Sequence, residues 1–226
     1  MSSNSNNSPC RICETNSFLF FKNDRSFYKC PNCLLIFTHD QADSEFQNTF
    51  YKEQWEEQSK QFWGQQVDVL LKIIGKYKIP IHILDFGAGS GGLTEELRNR
   101  GKNVTALEPI FHGYLKDQQY PEPFDVVVAV EVIEHLPNFW EELDEIDKVM
   151  TSDGIFIVTT NLTNPFIDRP DAVEQFRSWC YKDDPTHVNF FSCRSLDFIA
   201  ERKNWTIDVY KDQLFVARKS PSPAAG

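Results

Sequence analysis

From Ile81 to Thr160 the chain alternates short apolar blocks with amphipathic stretches. The blocks Ile81–Phe86, Val104–Leu107, Phe124–Val130 and Ile155–Thr160 have the length of strands, and the third is nearly all valine. Such a continuous apolar run predicts a strand buried on both faces. Gly91–Arg100 and Phe139–Met150 instead space their apolar residues at helical intervals. Pro137 opens the second helix, and the Asp153-Gly154 turn leads into the last of these strands. Strands and helices in alternation predict an α/β fold built on a doubly wound, Rossmann-like sheet. Ahead of it, residues 43–78 carry Phe46, Phe50, Trp55, Phe62, Val67, Leu70, Leu71 and Ile74 at mainly helical spacing, closed by Gly75 and Pro80. One or two helices are expected there. Behind it, Leu196–Arg202 reads as a helix, and Trp205–Tyr210 with Leu214–Arg218 as a closing strand pair. A Ser/Asn tract at 1–8 and the tail 219–226 bury little and are expected to be disordered.

The cysteines change the picture at the N-terminal end. Cys10-Arg-Ile-Cys13 and Cys30-Pro-Asn-Cys33 form two pairs. Two residues between paired cysteines let both thiolates face one ion from a tight turn, and four thiolates complete a tetrahedral zinc shell. Between the pairs, Phe18–Phe21, a turn at 22–25 and Phe27–Lys29 read as a hairpin. The pattern is that of a zinc ribbon over 9–40, with a structural Zn2+, followed by a helical lead-in over 41–79. Cys180 and Cys193 have no close partner and read as ordinary thiols.

Asp85-Phe-Gly87-Ala88-Gly89-Ser-Gly91-Gly92 follows the first strand and opens a helix. Such glycines let the backbone turn sharply and approach a ligand, at the carboxyl ends of strands where open α/β sheets bind. Glu108 closes the second strand, where a carboxylate can accept from both hydroxyls of a ribose. Gly87-x-Gly89-x-x-Gly92 also matches a dinucleotide fingerprint, so a nicotinamide enzyme is a rival reading. The leading Asp85, however, together with Phe124-Asp-Val-Val-Val-Ala-Val130-Glu131-Val-Ile-Glu134-His135-Leu-Pro137, resembles the class I S-adenosylmethionine-dependent methyltransferases, over roughly residues 64–218.

That resemblance implies an S-adenosyl-L-methionine-binding domain over 80–218. Gly87, Ala88, Gly89 and Gly91 would line the cofactor, and Asp85 would orient the loop and the cofactor amino group. Glu108 would hold the ribose, and Val130 and Glu131 would border the bound molecule. An acidic loop also suits a sulfonium better than an anionic pyrophosphate. The chain departs from the family between Glu108 and Phe124, where too few residues remain for a full crossover. The family's third strand is therefore expected to be lost or shortened, replaced by a loop or a helical turn. Phe111 and Tyr114 are the aromatic candidates for covering adenine.

Glu131, Glu134 and His135 stand at i, i+3 and i+4, which share a face on a helical turn. The run resembles the metal-binding segment of small-RNA 2′-O-methyltransferases and of ubiquinone-pathway O-methyltransferases, which use a further ligand later in the chain; His187 is the candidate here. Three readings stay open. The cluster Glu131, Glu134, His135 and His187 binds Mg2+ or a similar cation that acidifies a substrate hydroxyl; His187 alone acts as general base while Glu134 and His135 shape the pocket, His135 being the second choice for the base; or Glu134 and His135 merely cap the next helix. Trp179 and Tyr181 could wall a substrate pocket, and Tyr51 and Trp63 could close over the cofactor, with plain packing the alternative for each.

Composition narrows the partners. With 33 acidic against 23 basic residues the net charge is −10, which argues against a nucleic-acid backbone as main partner. A basic face at Arg11, Lys22, Arg25 and Lys29 would revive an RNA or protein methyltransferase that reads its substrate through the ribbon. No apolar run reaches the roughly 18–20 residues of a membrane span, and the start MSSNSNNSP is unlike an export signal. The expectation is a cytoplasmic methyltransferase acting on a small-molecule oxygen, nitrogen or carbon nucleophile. A non-catalytic scaffold of the same fold is the contrasting reading, and the oligomeric state is not legible.

Overall fold

The two cysteine pairs sit at the mouths of hairpins, and the strands between them are built from aromatic residues. In the computed structural model, which describes residues 7–56 and 60–220, the first forty residues form β1 (Asn7–Pro9), β2 (Asn16–Lys22), β3 (Ser26–Lys29) and β4 (Ile36–Thr38). They are followed by α1 (Ser44–Glu56), α2 (Lys60–Ile74), β5 (Ile83–Phe86), α3 (Gly92–Asn99), β6 (Val104–Leu107), α4 (Pro109–His112) and β7 (Phe124–Val130). Then come α5 (Phe139–Val149), β8 (Met150–Thr159), α6 (Ala172–Ser178), β9 (Asn189–Phe190), α7 (Cys193–Lys203), β10 (Trp205–Tyr210) and β11 (Leu214–Lys219). Short 3₁₀ turns cover Leu115–Asp117, Ile133–His135 and Cys180–Asp183. Residues 1–6 of the expected N-terminal tail and 221–226 of the C-terminal one lie outside the described residues. Asn7 and Ser8 do not belong to a loose tail, because β1 pairs with β2.

Contacts divide the chain into two units. One comprises residues 43–132 and 141–158. Its strands run in the order β8-β7-β5-β6, and β5 is parallel to both β6 and β7. Val126, Val127, Val128 and Ala129 are wholly buried, as a central strand covered on both faces requires. Asp125, the acid of that motif, is structural. Its carboxylate accepts from Ile81 N (2.9 Å) and His82 N (2.6 Å), fixing the chain as it enters β5. Between β6 and β7 the described residues form only α4 and one 3₁₀ turn, so the third strand is absent as expected. The Asp153-Gly154 turn is a correction: these residues fall inside β8, which starts at Met150 directly after α5.

The other unit comprises residues 1–42, 133–140 and 159–226. Its five-stranded antiparallel sheet has the order β1-β2-β3-β4-β9. The last strand comes from the far end of the chain: Phe190 pairs with Ile36 and Asn189 with Phe37. Phe27, Ile36, Phe166, Ile167, Phe176 and Phe190 form the core beneath it. Phe176 sits edge-on to Phe20, Phe21, Phe27 and Phe190 at centroid distances of 5.1–5.8 Å. Each such pair contributes roughly 0.5–1.5 kcal/mol beyond area burial. Phe166, Ile167, Phe176 and Phe190 therefore share one core with Phe27 and Ile36 of the ribbon. The unit also holds the β10–β11 hairpin, with Trp205 opposite Lys219 and Tyr210 opposite Leu214.

Candidate functional site

The glycine loop is shaped by its own backbone. Gly87 adopts φ 74°, and a Cβ there would come within 2.6 Å of the Val132 side chain, so no larger residue fits the bend. Gly91, at φ 87°, is the N-cap of α3, and a Cβ on it would point into open space. The amides of Gly87 and Ala88 donate to Leu107 O, and Gly91 N donates to Ala88 O. Ala88 thus has both its backbone polar groups spent, on β6 and on Gly91, and its contribution is to hold the cradle's shape. Trp63 of α2 lies directly against Gly92, where a Cβ would meet the indole nitrogen at 2.1 Å.

Two carboxylates serve this loop. Glu108 accepts from Gly89 N (3.1 Å) on Oε2 and from Ile110 N (3.3 Å) on Oε1, so it caps α4 and ties it to the glycines. Burial pushes its pKa up, against the pull of those two amides. Asp85 is fully buried at the end of β5 and accepts from Thr94 Oγ1 at 2.6 Å. Burial raises its pKa to about 6, opposed by Thr94 and reinforced by the charge of Glu108. Two acids held above their ordinary range make a place where a positive group is favoured. Val130 ends β7 half-buried, and Glu131 follows it in left-handed backbone, φ 53°, with its side chain exposed. Phe111 and Tyr114 are also exposed, at 59% and 54%.

In the other unit Glu134, His135 and His187 bring a carboxylate oxygen and two ring nitrogens within 4.8 Å of one another. Glu131 is not among them. Its left-handed φ breaks the helical turn on which an i, i+3, i+4 face depends, and only Ile133–His135 turn, as a 3₁₀ element. The rings of His135 and His187 are 4.5 Å apart, edge to face. His187 Nδ1 lies 2.7 Å from Tyr181 O, which can only accept, so Nδ1 carries a proton and, in the neutral ring, the lone pair is on Nε2. Asp184 Oδ2 stands 3.7 Å from that Nε2. Burial, then the neighbouring His187, push the His135 pKa down to about 3, so this ring is neutral near pH 7. The Tyr181 hydroxyl donates to Glu134 and lies 3.1 Å from Thr160 Oγ1. Trp179 packs on Phe166, Phe176, Tyr181 and Phe190 and belongs to the core. Sequence reasoning placed Tyr181 only as a pocket wall and missed Asp184. The Asp184–His187 spacing was its one available signal.

Cys10, Cys13, Cys30 and Cys33 also gather within 4.8 Å, with Cys10–Cys33 and Cys13–Cys30 sulfurs 3.4 and 3.3 Å apart and no disulfide. The two turns are copies. Glu14 N donates to Cys10 O and Leu34 N to Cys30 O, and Glu14 and Leu34 both adopt φ 59°. Four sulfurs on a zinc ion would stand about 3.8 Å apart, so the donors fit it. The Cys10 pKa falls to about 6 through its bond with Cys33, which is itself pushed up. Of the four basic residues expected to form a face here, Lys22 is exposed and the other three bond inward. Arg11 donates to Thr38 O (2.6 Å), Lys29 to Ile167 O (2.8 Å), and Arg25 to carbonyls of residues 182–187.

Comparisons place this architecture. A methyltransferase-domain family model matches residues 53–209. The chain is 26% identical over 157 residues to a ubiquinone biosynthesis O-methyltransferase of Rickettsia bellii, covering 60% of this chain and 65% of that protein. It is 28% identical over 180 residues to the human mitochondrial protein of the same name, covering 66% and 49%. The chain thus spans less than two thirds of the length of these relatives. Among solved structures, the 1,6-didemethyltoxoflavin-N1-methyltransferase of Burkholderia thailandensis, with bound S-adenosylhomocysteine, superposes with a TM-score of 0.54 at 14% identity. That match covers 89% of this chain and 98% of the other, and it shows a shared fold.

Proposed function

The chain belongs to the S-adenosylmethionine-dependent methyltransferases, and from that premise we propose that it methylates a hydroxyl or other protic nucleophile of a small molecule, with His187 as general base. S-Adenosylmethionine supplies, when bound, a methyl group made electrophilic by the sulfonium. The glycine loop fits it: Gly91 opens onto free space, Glu108 keeps carboxylate lone pairs beside the loop for a ribose, and Asp85 favours a cation. The chain's own part is to orient the acceptor in line with that methyl and to take its proton. His187 Nε2 is the acceptor atom, because Nδ1–H is fixed on the Tyr181 carbonyl; Asp184 would steady the imidazolium that forms. This tautomer lock is the observation that carries the reading. His135, kept neutral, is the second candidate, and Glu134 orders Tyr181. That one relative is an O-methyltransferase supports an oxygen acceptor.

A divalent cation on Glu134, His135 and His187 is the second reading, favoured by their convergence. Two imidazoles and one carboxylate suit a transition ion better than Mg2+. Such an ion would acidify an acceptor hydroxyl, with Tyr181 O and Tyr181 OH as outer partners of His187 and Glu134. In the ribbon we assign Zn2+ to the four cysteines as a structural ion, since a closed sulfur shell leaves no open position. The inward use of Arg11, Arg25 and Lys29 weighs against substrate reading by the ribbon.

Calorimetry tests the cofactor assignment. Glu108→Ala is expected to weaken S-adenosylmethionine binding roughly 10- to 100-fold, the worth of about 1.5–3 kcal/mol of charge-assisted hydrogen bonding; equal affinity in variant and parent, or tighter binding of NAD, would reject it. Asp85 adds a pH signature. A cationic ligand favours its ionised form, so affinity is expected to decline as pH falls through about 6. Asp85→Asn should flatten that decline, and a wild-type titration flat from pH 7.5 to 5 contradicts the role.

A further inference from the structure

We propose that Arg25, at the tip of the ribbon hairpin, is the positioning residue for His187, so that the four-cysteine ribbon is the scaffold of the reaction centre. The proposal rests on the reading of His187 given above. The guanidinium reaches three carbonyls of one short loop: Nη1 donates to Asp184 O at 2.8 Å and to Lys182 O at 3.3 Å, and Nη2 donates to His187 O. Three carbonyls converging on one planar fork force the loop to wrap around it, and a flexible ammonium cannot reproduce that geometry. Arg25 is itself held. Its amide donates to Asn23 Oδ1 at 2.9 Å, and its guanidinium stands 5.0 Å from the Phe27 ring centroid.

The same ribbon carries the other histidine segment. Directly after His187, Val188 N donates to Glu134 O, Thr38 N donates to Val188 O, and β9 joins β4. Asn189 Nδ2 donates to Leu136 O at 2.7 Å, and its Oδ1 accepts from Arg11 at 3.3 Å, the residue inside the first cysteine pair. Trp140 Nε1 closes the far side on Ile12 O at 3.2 Å. The bonds of Arg11, Ile12 and Thr38 run from the ribbon to segments bearing His135 or His187, and those of Val188 N and Asn189 Nδ2 tie the two histidine segments to each other. Arg25 grips the carbonyls of the loop that presents the Tyr181–His187 tautomer lock.

The test uses the full chain labelled with nitrogen-15 on histidine, and follows the His187 ring nitrogens by NMR. The wild type is expected to show one tautomer, protonated at Nδ1. Arg25→Lys keeps the charge but not the fork, and is expected to give mixed tautomers with S-adenosylmethionine affinity within about twofold of the parent. In Arg25→Ala, millimolar guanidinium is expected to restore the single tautomer. An unchanged His187 signal in both folded variants overturns the proposal, and so does mixing in Arg25→Ala that guanidinium leaves unaltered. Failure of the base reading is separate: His187→Ala would then retain transfer to a catechol probe, whatever the NMR of the Arg25 variants shows.

Discussion

Replacing His187 with alanine is expected to slow methyl transfer by roughly 10²- to 10⁴-fold while cofactor affinity stays within about a factor of two. The two effects separate because the cofactor groups, Asp85, the glycines and Glu108, draw their bonds from the glycine loop itself, β6, α3 and α4, not from the loop of His187. Release of S-adenosylhomocysteine with protocatechuate, a catechol probe, measures the rate, and calorimetry the affinity. The base reading expects added imidazole to recover part of the loss. Recovery by a transition ion, with none from imidazole, would favour the divalent reading. Unaltered transfer in the variant removes His187 from the chemistry altogether.

Loss of the ribbon ion should be at least as severe. Apparent zinc affinities of four-ligand sites amount to about 10–16 kcal/mol, against a whole-domain stability of about 5–15 kcal/mol. Without the ion, four buried or half-buried sulfurs keep only weak bonds to one another, to Thr15 Oγ1 and to the Ile12 and Cys33 amides, and the β1–β4 sheet loses its anchor. A strong chelator, or Cys30→Ser, is therefore expected to abolish amide protection over residues 9–40. Because β9 and the Phe176 core are built on that sheet, protection is expected to fall in 176–190 as well, while β5–β7 keep theirs. Metal analysis should find one zinc per chain. Protection over 9–40 unchanged by chelation, in protein shown to be metal-free, refutes the ribbon ion.

Much of this was legible because it is local. Val104–Leu107 and Phe124–Val130 fold over the residues expected, and the two helices before Gly75 and the β10–β11 hairpin appear in place. The missing third strand followed from counting residues after Glu108. Boundaries moved where capping or pairing decides them: β5 begins at Ile83 because Asp125 holds the amides of Ile81 and His82, and α7 begins at Cys193 because Ser192 caps it. The face shared by Glu131, Glu134 and His135 did not survive, since a left-handed residue at 131 is a backbone fact that periodicity does not record.

The chain's order of apolar and polar residues, its paired cysteines and its glycine run were enough to determine an α/β fold with a four-cysteine ribbon, and the family resemblance carried by Asp85 and Phe124–Pro137 pointed to a methyltransferase. Those features act over a few residues, through backbone sterics and the burial of one face. Only the folded structure joined β9 to the ribbon, laid Tyr181 against Glu134 and His187, and turned Arg25 onto a loop 162 positions away. Single hydrogen bonds between distant side chains and carbonyls need no repeat and no particular neighbours in sequence. They are decided by which surfaces meet once the core has formed.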